Sequence, residues 1–248
     1  MALLEEFESQ GNVLFKNRSY LPLLLFPPSI LSIWQSCQHH PYYYHNGYFE
    51  FLLICCFVVG LLGLSFRIYT VGYANKNTSG RNTHGQVADA LNTEGFYSVV
   101  RHPLYLGNFL MWLSIAFLSM NFYFIVAFIL AFWLYYERIM FAEEQYLRNK
   151  FREKFTSWAN NKPAFIPTIK GWQKPTADFN WKKLFRNEKN GLFALFLIFW
   201  LFKVMITFFE TGSYRFSIHW IEIGTILSGI MYFILKFFKT YSNLLETN

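Results

Sequence analysis

Five apolar runs, residues 49–66, 104–120, 122–137, 192–209 and 218–238, punctuate this chain, each close to the ~20 residues a helix needs to cross a hydrocarbon core. A sixth, residues 20–34, is shorter and carries Pro27-Pro28 at its middle; it reads as a kinked span or a re-entrant segment. Lipid offers no partner to a backbone N–H or C=O, so such runs must be helices. The expectation is an all-α, polytopic integral membrane protein with about five to six transmembrane helices. Composition agrees: of 248 residues, 54% are hydrophobic, 22% aromatic and only 15% charged, well away from a soluble average.

The formal net charge of +7 is concentrated between the apolar runs. Lys16 and Arg18, the stretch from Arg67 to Arg101, the stretch 138–189, and Lys236 with Lys239 fall on one side of a six-span arrangement, against Arg215 on the other. The positive-inside rule then places both termini in the cytoplasm. Clustering at span ends suits anionic headgroups rather than nucleic acid, because no separate basic domain is visible. Cys37, Cys55 and Cys56 lack metal-type spacing and do not suggest a disulfide framework. The start, Met1-Ala2-Leu3-Leu4-Glu5-Glu6, has no basic n-region, so no removable signal peptide is expected. The chain reads as a single membrane-embedded domain.

Two polar stretches interrupt the grease in a way that anchoring does not require. One is Gly95-Phe96-Tyr97-Ser98-Val99-Val100-Arg101-His102-Pro103-Leu104-Tyr105-Leu106-Gly107; the other is Glu143-Glu144, after a hairpin at Ser119-Met120-Asn121 too short for anything but a tight turn. The hairpin returns Glu143 and Glu144 to the membrane face of Arg101 and His102. Pro103 suits the first turn of a helix, whose free amides can receive an anionic group. His102 and Tyr105 share a face three residues apart, and Gly107 permits close approach of a backbone or ligand. Read separately, Arg101 is a span-end anchor, His102 an interfacial histidine, and Glu143-Glu144 with Arg148, Lys150, Arg152 and Lys154 a solvated helix face. Small residues Gly60, Gly63 and Ser65 in the 49–66 run permit close helix packing, and Arg67 is read as that run's end. Trp158, Trp172 and Trp181 are interfacial anchors in a basic stretch, 138–189, expected to pack as surface helices. Tyr42-Tyr43-Tyr44 with His39, His40 and His45 reads as an aromatic belt rather than a metal site. Lys203 lies inside the 192–209 run, where a charge costs about 2.5–3.5 kcal/mol on insertion scales; a partner such as Glu210, a lipid phosphate, snorkelling or a helix-to-helix pair are the open readings.

Taken together, Gly95-x-Tyr97, Arg101-His102-Pro103-x-Tyr105-x-Gly107, Glu143-Glu144-x-x-Leu147, Phe151 and Pro163-x-x-x-Pro167 resemble the integral-membrane methyltransferases, the isoprenylcysteine carboxyl and phospholipid methyltransferases. The resemblance covers roughly residues 85–167, a methyltransferase core, and leaves 168–248 as a basic linker plus two C-terminal transmembrane helices. It implies S-adenosylmethionine as methyl donor, held on the cytoplasmic side by Asp89, Ala90, Leu91, Asn92, Tyr97, His102, Pro103, Leu104, Tyr105 and Glu143. In the carboxyl methyltransferases a substrate arginine lies four residues before that glutamate; here the position is Ile139, with Arg138 one residue earlier. Arg101, Arg138 and Glu144 are the expected catalytic residues, the arginines for an anionic acceptor and Glu144 or His102 as proton acceptor if the nucleophile is an amine. No metal is expected.

The stretch Gly80-Arg81-Asn82-Thr83-x-x-Gln86-Val87-Ala88 leading into Leu91-Asn92-Thr93 resembles the bacterial branch that holds the lipid A phosphate methyltransferases. This implies a lipid phosphate acceptor in a bacterial inner membrane, with Arg81, Arg101, Arg138 and Arg148 supplying positive charge. A prenylcysteine or other lipid carboxylate is the alternative acceptor. An NADPH-dependent reductase of the sterol-reductase kind shares a related Arg-His-Pro-x-Tyr-x-Gly turn, and a non-catalytic scaffold is the third class.

Overall fold

The computed structural model describes residues 2–39, 44, 47–75, 78, 85–213 and 218–245. Eight α-helices appear among them: α1 (Leu3–Lys16), α2 (Phe26–His39), α3 (Gly47–Tyr73), α4 (Pro103–Phe117), α5 (Phe122–Phe151), α6 (Glu153–Ala159), α7 (Trp181–Thr211) and α8 (Trp220–Tyr241). The all-α, membrane-embedded expectation is borne out. Four of them, α3, α5, α7 and α8, are long and apolar enough to cross a bilayer, and α4 is a shorter apolar helix. The stretch 80–83 with Arg81, the residues His40, Tyr42, Tyr43 and His45 of the aromatic belt, and Arg215 lie outside the described residues.

Helix lengths explain the architecture. At 1.5 Å per residue, α3, α5 and α7 are about 40–46 Å long against a hydrocarbon core of about 30 Å. Their surplus projects from one end of the bundle, as Arg67–Tyr73, Tyr136–Phe151 and Trp181–Glu188, and encloses a cavity there. Two expectations change accordingly. Arg67 does not end its span, because α3 continues through the apolar Ile68, Val71 and Gly72 to Tyr73. The basic stretch 138–189 is not a set of surface helices: its ends belong to α5 and α7, α6 is a single short helix, and residues 160–180 form an extended strap.

The segment around Pro27-Pro28 crosses the bundle. It starts at Ser19 on the cavity wall, passes a 3-10 turn at Leu21–Leu25 into α2, and reaches the far end. There the Tyr44 hydroxyl donates to the carbonyls of Leu118 and Ser119 at 3.0 and 2.9 Å. The turn and helix together rise about 31 Å, enough for the core. The two prolines occupy the first turn of α2, where a missing N–H leaves no acceptor wanting. Among the described residues, six segments run between the two ends: residues 21–39, α3, α4, α5, α7 and α8.

Packing centres on α3. A Cβ on Gly63 would lie 2.6 Å from the Gly107 carbonyl oxygen, and one on Gly107 would lie 2.7 Å from that of Gly63, so α3 and α4 touch backbone to backbone. Phe57, Phe199, Phe202, Leu53 and Leu195 fill the layer beneath. The hairpin between α4 and α5 is as tight as expected, with the Asn121 side chain capping Phe124 N at 3.1 Å. Lys203 pairs helix to helix, 3.2 Å from Glu222 on α8 and 3.5 Å from Glu50 on α3. Lys203 and Glu222 are almost fully buried, and such a pair is destabilised most when one partner alone is removed.

Gly107→Ala is expected to lower the melting temperature in detergent, whereas Gly47→Ala, where an added Cβ meets nothing within 4 Å, is expected to leave it nearly unchanged. Lys203→Met should destabilise by about 3–5 kcal/mol, and Lys203→Met with Glu222→Gln should recover part of that loss in the same thermal assay.

Candidate functional site

A cavity of about 410 Å³ opens where the overhanging helix ends meet the segment 85–105, a volume in the range of small-molecule and cofactor sites. Gly95, two residues before Tyr97 of the wall, has φ of +59° and ψ of −134°, a conformation disfavoured for any side chain. The turn that follows is pinned by the 160–180 strap. Gly95 N donates to Gln173 O at 2.9 Å, Arg101 N to Pro163 O at 2.9 Å, His102 N to Ala164 O at 3.1 Å, and Thr168 N to Val99 O at 3.0 Å. The Pro163-x-x-x-Pro167 tail is therefore a backbone clamp on the residues before α4. Trp158 adds an N–H to Tyr97 O at 3.2 Å.

Pro103 is the first residue of α4 and His102 its N-cap. The His102 ring, 7% exposed, is held between two carboxylates: Nε2 lies 2.9 Å from Glu144 Oε1 and Nδ1 3.6 Å from Glu143 Oε2. Arg101 Nε lies 2.9 Å from the same Glu144 oxygen but without hydrogen-bond alignment, while its Nη1 donates to Ala159 O at 3.2 Å. Tyr105 stacks on His102 with centroids 5.7 Å apart. Burial by itself would depress the imidazole, but bonds to and charge from Glu143 and Glu144 outweigh it and hold His102 above its ordinary value. Burial, followed by the nearby Glu143, raises the Tyr97 phenol, so it stays protonated as a donor.

The cavity brings together Ala90, Leu91, Asn92, Tyr97, Arg101, His102, Pro103, Leu104, Tyr105, Glu143 and Glu144. Asn92 also ties its loop, accepting from Asn75 N at 3.0 Å and donating to Thr78 Oγ1 at 2.8 Å. Two of the expected residues lie apart. Asp89 is exposed beside the cavity rather than on its wall. Arg138 faces α1: its guanidinium sits 3.5 Å over the Phe7 ring, and it bonds Glu137 at 2.8 Å and Gln10 at 3.4 Å. Ile139 is fully buried in the apolar cluster of Phe128, Phe132 and Tyr136, so neither residue presents a charge to the cavity.

The structure adds a second polar pole. Arg67 donates Nε and Nη2 to the two oxygens of Glu188 at 3.0 and 2.7 Å and Nη1 to Asn108 Oδ1 at 2.5 Å; Asn108 in turn donates to Tyr136 at 3.2 Å. Arg18 and Asn187 also line the cavity. Sequence reasoning missed these because they come from α3, α4, α5, α7 and the turn after α1, mostly far apart in the chain. The one local signal was an arginine, Arg67, set within a continuing helical pattern. Among the described residues no group of three or more His, Cys, Asp or Glu is placed to hold a metal ion.

An α-helical integral membrane protein with a partly buried Arg-His-Glu-Glu cluster at the end of its bundle is the class defined by this geometry. Residues 51–154 match the model of the phospholipid methyltransferase family. The chain is 34% identical over 79 residues to the protein-S-isoprenylcysteine O-methyltransferase of Schizosaccharomyces pombe, covering 32% of this chain and 34% of that protein. It is also 34% identical over 113 residues to the cobalt-zinc-cadmium resistance protein CzcN of Cupriavidus metallidurans, covering 45% of this chain and 49% of that protein. The chain therefore spans about a third to a half of the length of these curated relatives. No solved structure matches it. The resemblance to the integral-membrane methyltransferases is borne out on the segment that holds the motifs from Gly95 to Phe151.

His102 binds its proton more tightly in the folded chain than its ordinary pKa of about 6.5 allows. Its stabilising contribution is therefore fully present below that value and is lost as pH rises through the raised folded pKa. The thermal-stability advantage of the wild type over His102→Gln should be largest near pH 6 and shrink towards pH 8; an advantage that is flat with pH would refute the imidazolium pairing.

Proposed function

We propose that this protein is a membrane methyltransferase that takes S-adenosylmethionine from the cytoplasm and methylates a lipid acceptor, with a lipid phosphate preferred. The observation that carries the reading is the cluster of Arg101, His102, Glu143 and Glu144 around a roughly 410 Å³ cavity, within the segment matched by the methyltransferase family. The basic span ends near the cavity support a cytoplasmic site and cytoplasmic termini, in a bacterial inner membrane.

The residues fit the donor. Its contrasting parts, a flat base, a ribose, an ammonium and a carboxylate, call for an apolar wall, acceptors and donors within one cavity. Leu91, Leu147, Phe155 and Trp158 supply the wall. Glu143, about a quarter exposed, can accept from ribose hydroxyls or an ammonium. Leu104, at the second position of α4, has an N–H without an intrahelical acceptor and suits a carboxylate, as does the protonated Tyr97. When bound, the donor supplies a methyl carbon attached to a positively charged sulfur.

What the chain must add depends on the acceptor. An ionised phosphate or carboxylate oxygen has no proton to lose, so alignment and exclusion of water suffice. Glu144 then holds Arg101 and His102 in place rather than acting as a base. An amine acceptor would have to shed a proton, and His102, with both ring nitrogens turned to Glu144 and Glu143, is poorly placed to receive it. The charge arrangement thus favours an oxygen anion. A prenylcysteine carboxylate stays the alternative, supported by the name of the yeast relative.

Purified protein titrated by fluorescence should bind S-adenosylmethionine and not NADPH; NADPH binding alone would overturn the methyltransferase reading, and binding of neither would point to a scaffold. Arg101→Ala and Glu143→Ala should each lower transfer by about a hundredfold or more while the fold persists, given what misalignment of reactants costs. Mass spectrometry of lipid extracts from cells with and without the protein should show one lipid phosphate class gaining methyl groups.

A further inference from the structure

We infer that the strap between α6 and α7 is a docking surface for the anionic headgroup layer of the surrounding membrane, and that contact with this layer tightens donor binding in the cavity. The docking surface is independent of the methyltransferase reading; its effect on the donor rests on that reading.

The level of the strap is set by its first inward side chain. Phe165 packs on Phe109 and Trp133 with ring centroids 5.6 and 5.7 Å apart, and Trp133 is exposed on the apolar part of α5, just before the overhang. The strap therefore starts where hydrocarbon gives way to headgroups. Its outward side chains are apolar: Ile166, Ile169 and Trp172 are 77%, 99% and 47% exposed, and Trp181 and Phe185 extend this surface onto the start of α7. Exposed apolar residues are ordinary on a span, but these lie between spans, where water would otherwise wet them. Cations accompany them. Between residues 166 and 186, Lys170, Lys174, Lys182 and Arg186 are exposed against one exposed carboxylate, Asp178. Isoleucine and tryptophan interleaved with lysine match a surface that is apolar beneath and negatively charged above, as an anionic leaflet is. A soluble polyanion would match the lysines and leave Ile166 and Ile169 in water.

The same strap grips the turn before α4. The carbonyls of Pro163 and Ala164 accept from Arg101 N and His102 N, Thr168 N donates to Val99 O, and the Gln173 carbonyl accepts from Gly95 N. Gln173 N donates to Ser98 Oγ at 2.9 Å. The Trp172 ring, half of it outside, packs on Phe96 and Tyr69 with centroids 5.4 and 5.9 Å apart, and Phe96 adjoins Tyr97 on the cavity wall. Residues 163–173 thus hold the turn largely with backbone groups while their side chains at 166, 169, 170 and 172 face outward. A leaflet that restrains the outer face reduces the freedom of the inner one, and the cavity residues on that turn inherit the restraint.

The test compares the full chain in nanodiscs of phosphatidylcholine alone and of equal parts phosphatidylcholine and phosphatidylglycerol. Hydrogen exchange read by mass spectrometry reports on the strap and the turn, and titration with S-adenosylhomocysteine reports on the cavity. The ammonium and carboxylate of this ligand cancel, so leaflet charge does not concentrate it at the surface. Phosphatidylglycerol should slow exchange in residues 95–102 and 165–173 and tighten S-adenosylhomocysteine binding by about fivefold, the low end of coupling between two sites. High salt should erase both effects. Lys170→Gln with Lys174→Gln should lose both responses while binding S-adenosylhomocysteine in phosphatidylcholine as the wild type does, and Ile169→Ser should weaken both. Lys236→Gln with Lys239→Gln, which removes the same charge from the exposed end of α8, should respond as the wild type. Strap exchange or donor affinity indifferent to phosphatidylglycerol, or an equal loss in the α8 variant, would each overturn the inference. So would a full response in Lys170→Gln with Lys174→Gln, the outcome expected if phosphatidylglycerol acted from inside the cavity. Failure to bind S-adenosylhomocysteine in either disc would instead overturn the methyltransferase reading, and the exchange data would still decide the docking surface.

Discussion

One oxygen of Glu144 draws in both the Arg101 guanidinium and the His102 ring, and the site depends on that contact. Arg101 and His102 each approach its Oε1 to 2.9 Å, and the carboxylate comes from a helix that has already left the membrane. A charged group this little exposed is tolerated only with partners, because desolvation penalises it heavily. The contact therefore fixes where the overhang of α5 must stand relative to the start of α4. It also holds the His102 ring between Glu144 and Glu143.

The rest of the molecule supplies the conditions for that contact. Close approach at Gly63 and Gly107 brings α3 against α4, so that Arg67, one turn further along α3, reaches Asn108 and Glu188. The strap from Pro163 to Thr176 spends its backbone groups on the 94–102 turn, satisfying polar groups that an otherwise apolar chain could not. The C-terminal hairpin is joined to the rest at two levels: Glu188 on the cavity wall, and Lys203 with Glu222 and Glu50 towards the opposite end of the bundle. The residues after the matched segment are thus part of the cavity.

Much of the fold was legible because hydrophobic runs of bilayer length admit only helices. The core of each long span was found, yet their ends were misjudged by up to about fourteen residues at α5. Charges at a span end look the same whether the helix stops or continues into water. The broken crossing at Pro27-Pro28 was ambiguous for a related reason: fourteen helical residues are too few by themselves, and only the Tyr44 hydroxyl on the α4–α5 turn shows how far the segment travels.

By itself the sequence determined the helical membrane architecture, the tight hairpin at Ser119–Asn121 and the return of Glu143-Glu144 to Arg101-His102. Each follows from local periodicity, from the shortness of a turn, or from spacing along one chain. Only the tertiary structure decided that Arg138 turns away, that Ile139 is core, that Lys203 finds Glu222 rather than Glu210, and that Arg18, Arg67, Asn108 and Glu188 share the cavity. These depend on which face of each helix meets its neighbour, and that is set by backbone contacts such as Gly63 with Gly107, whose partners lie dozens of residues apart.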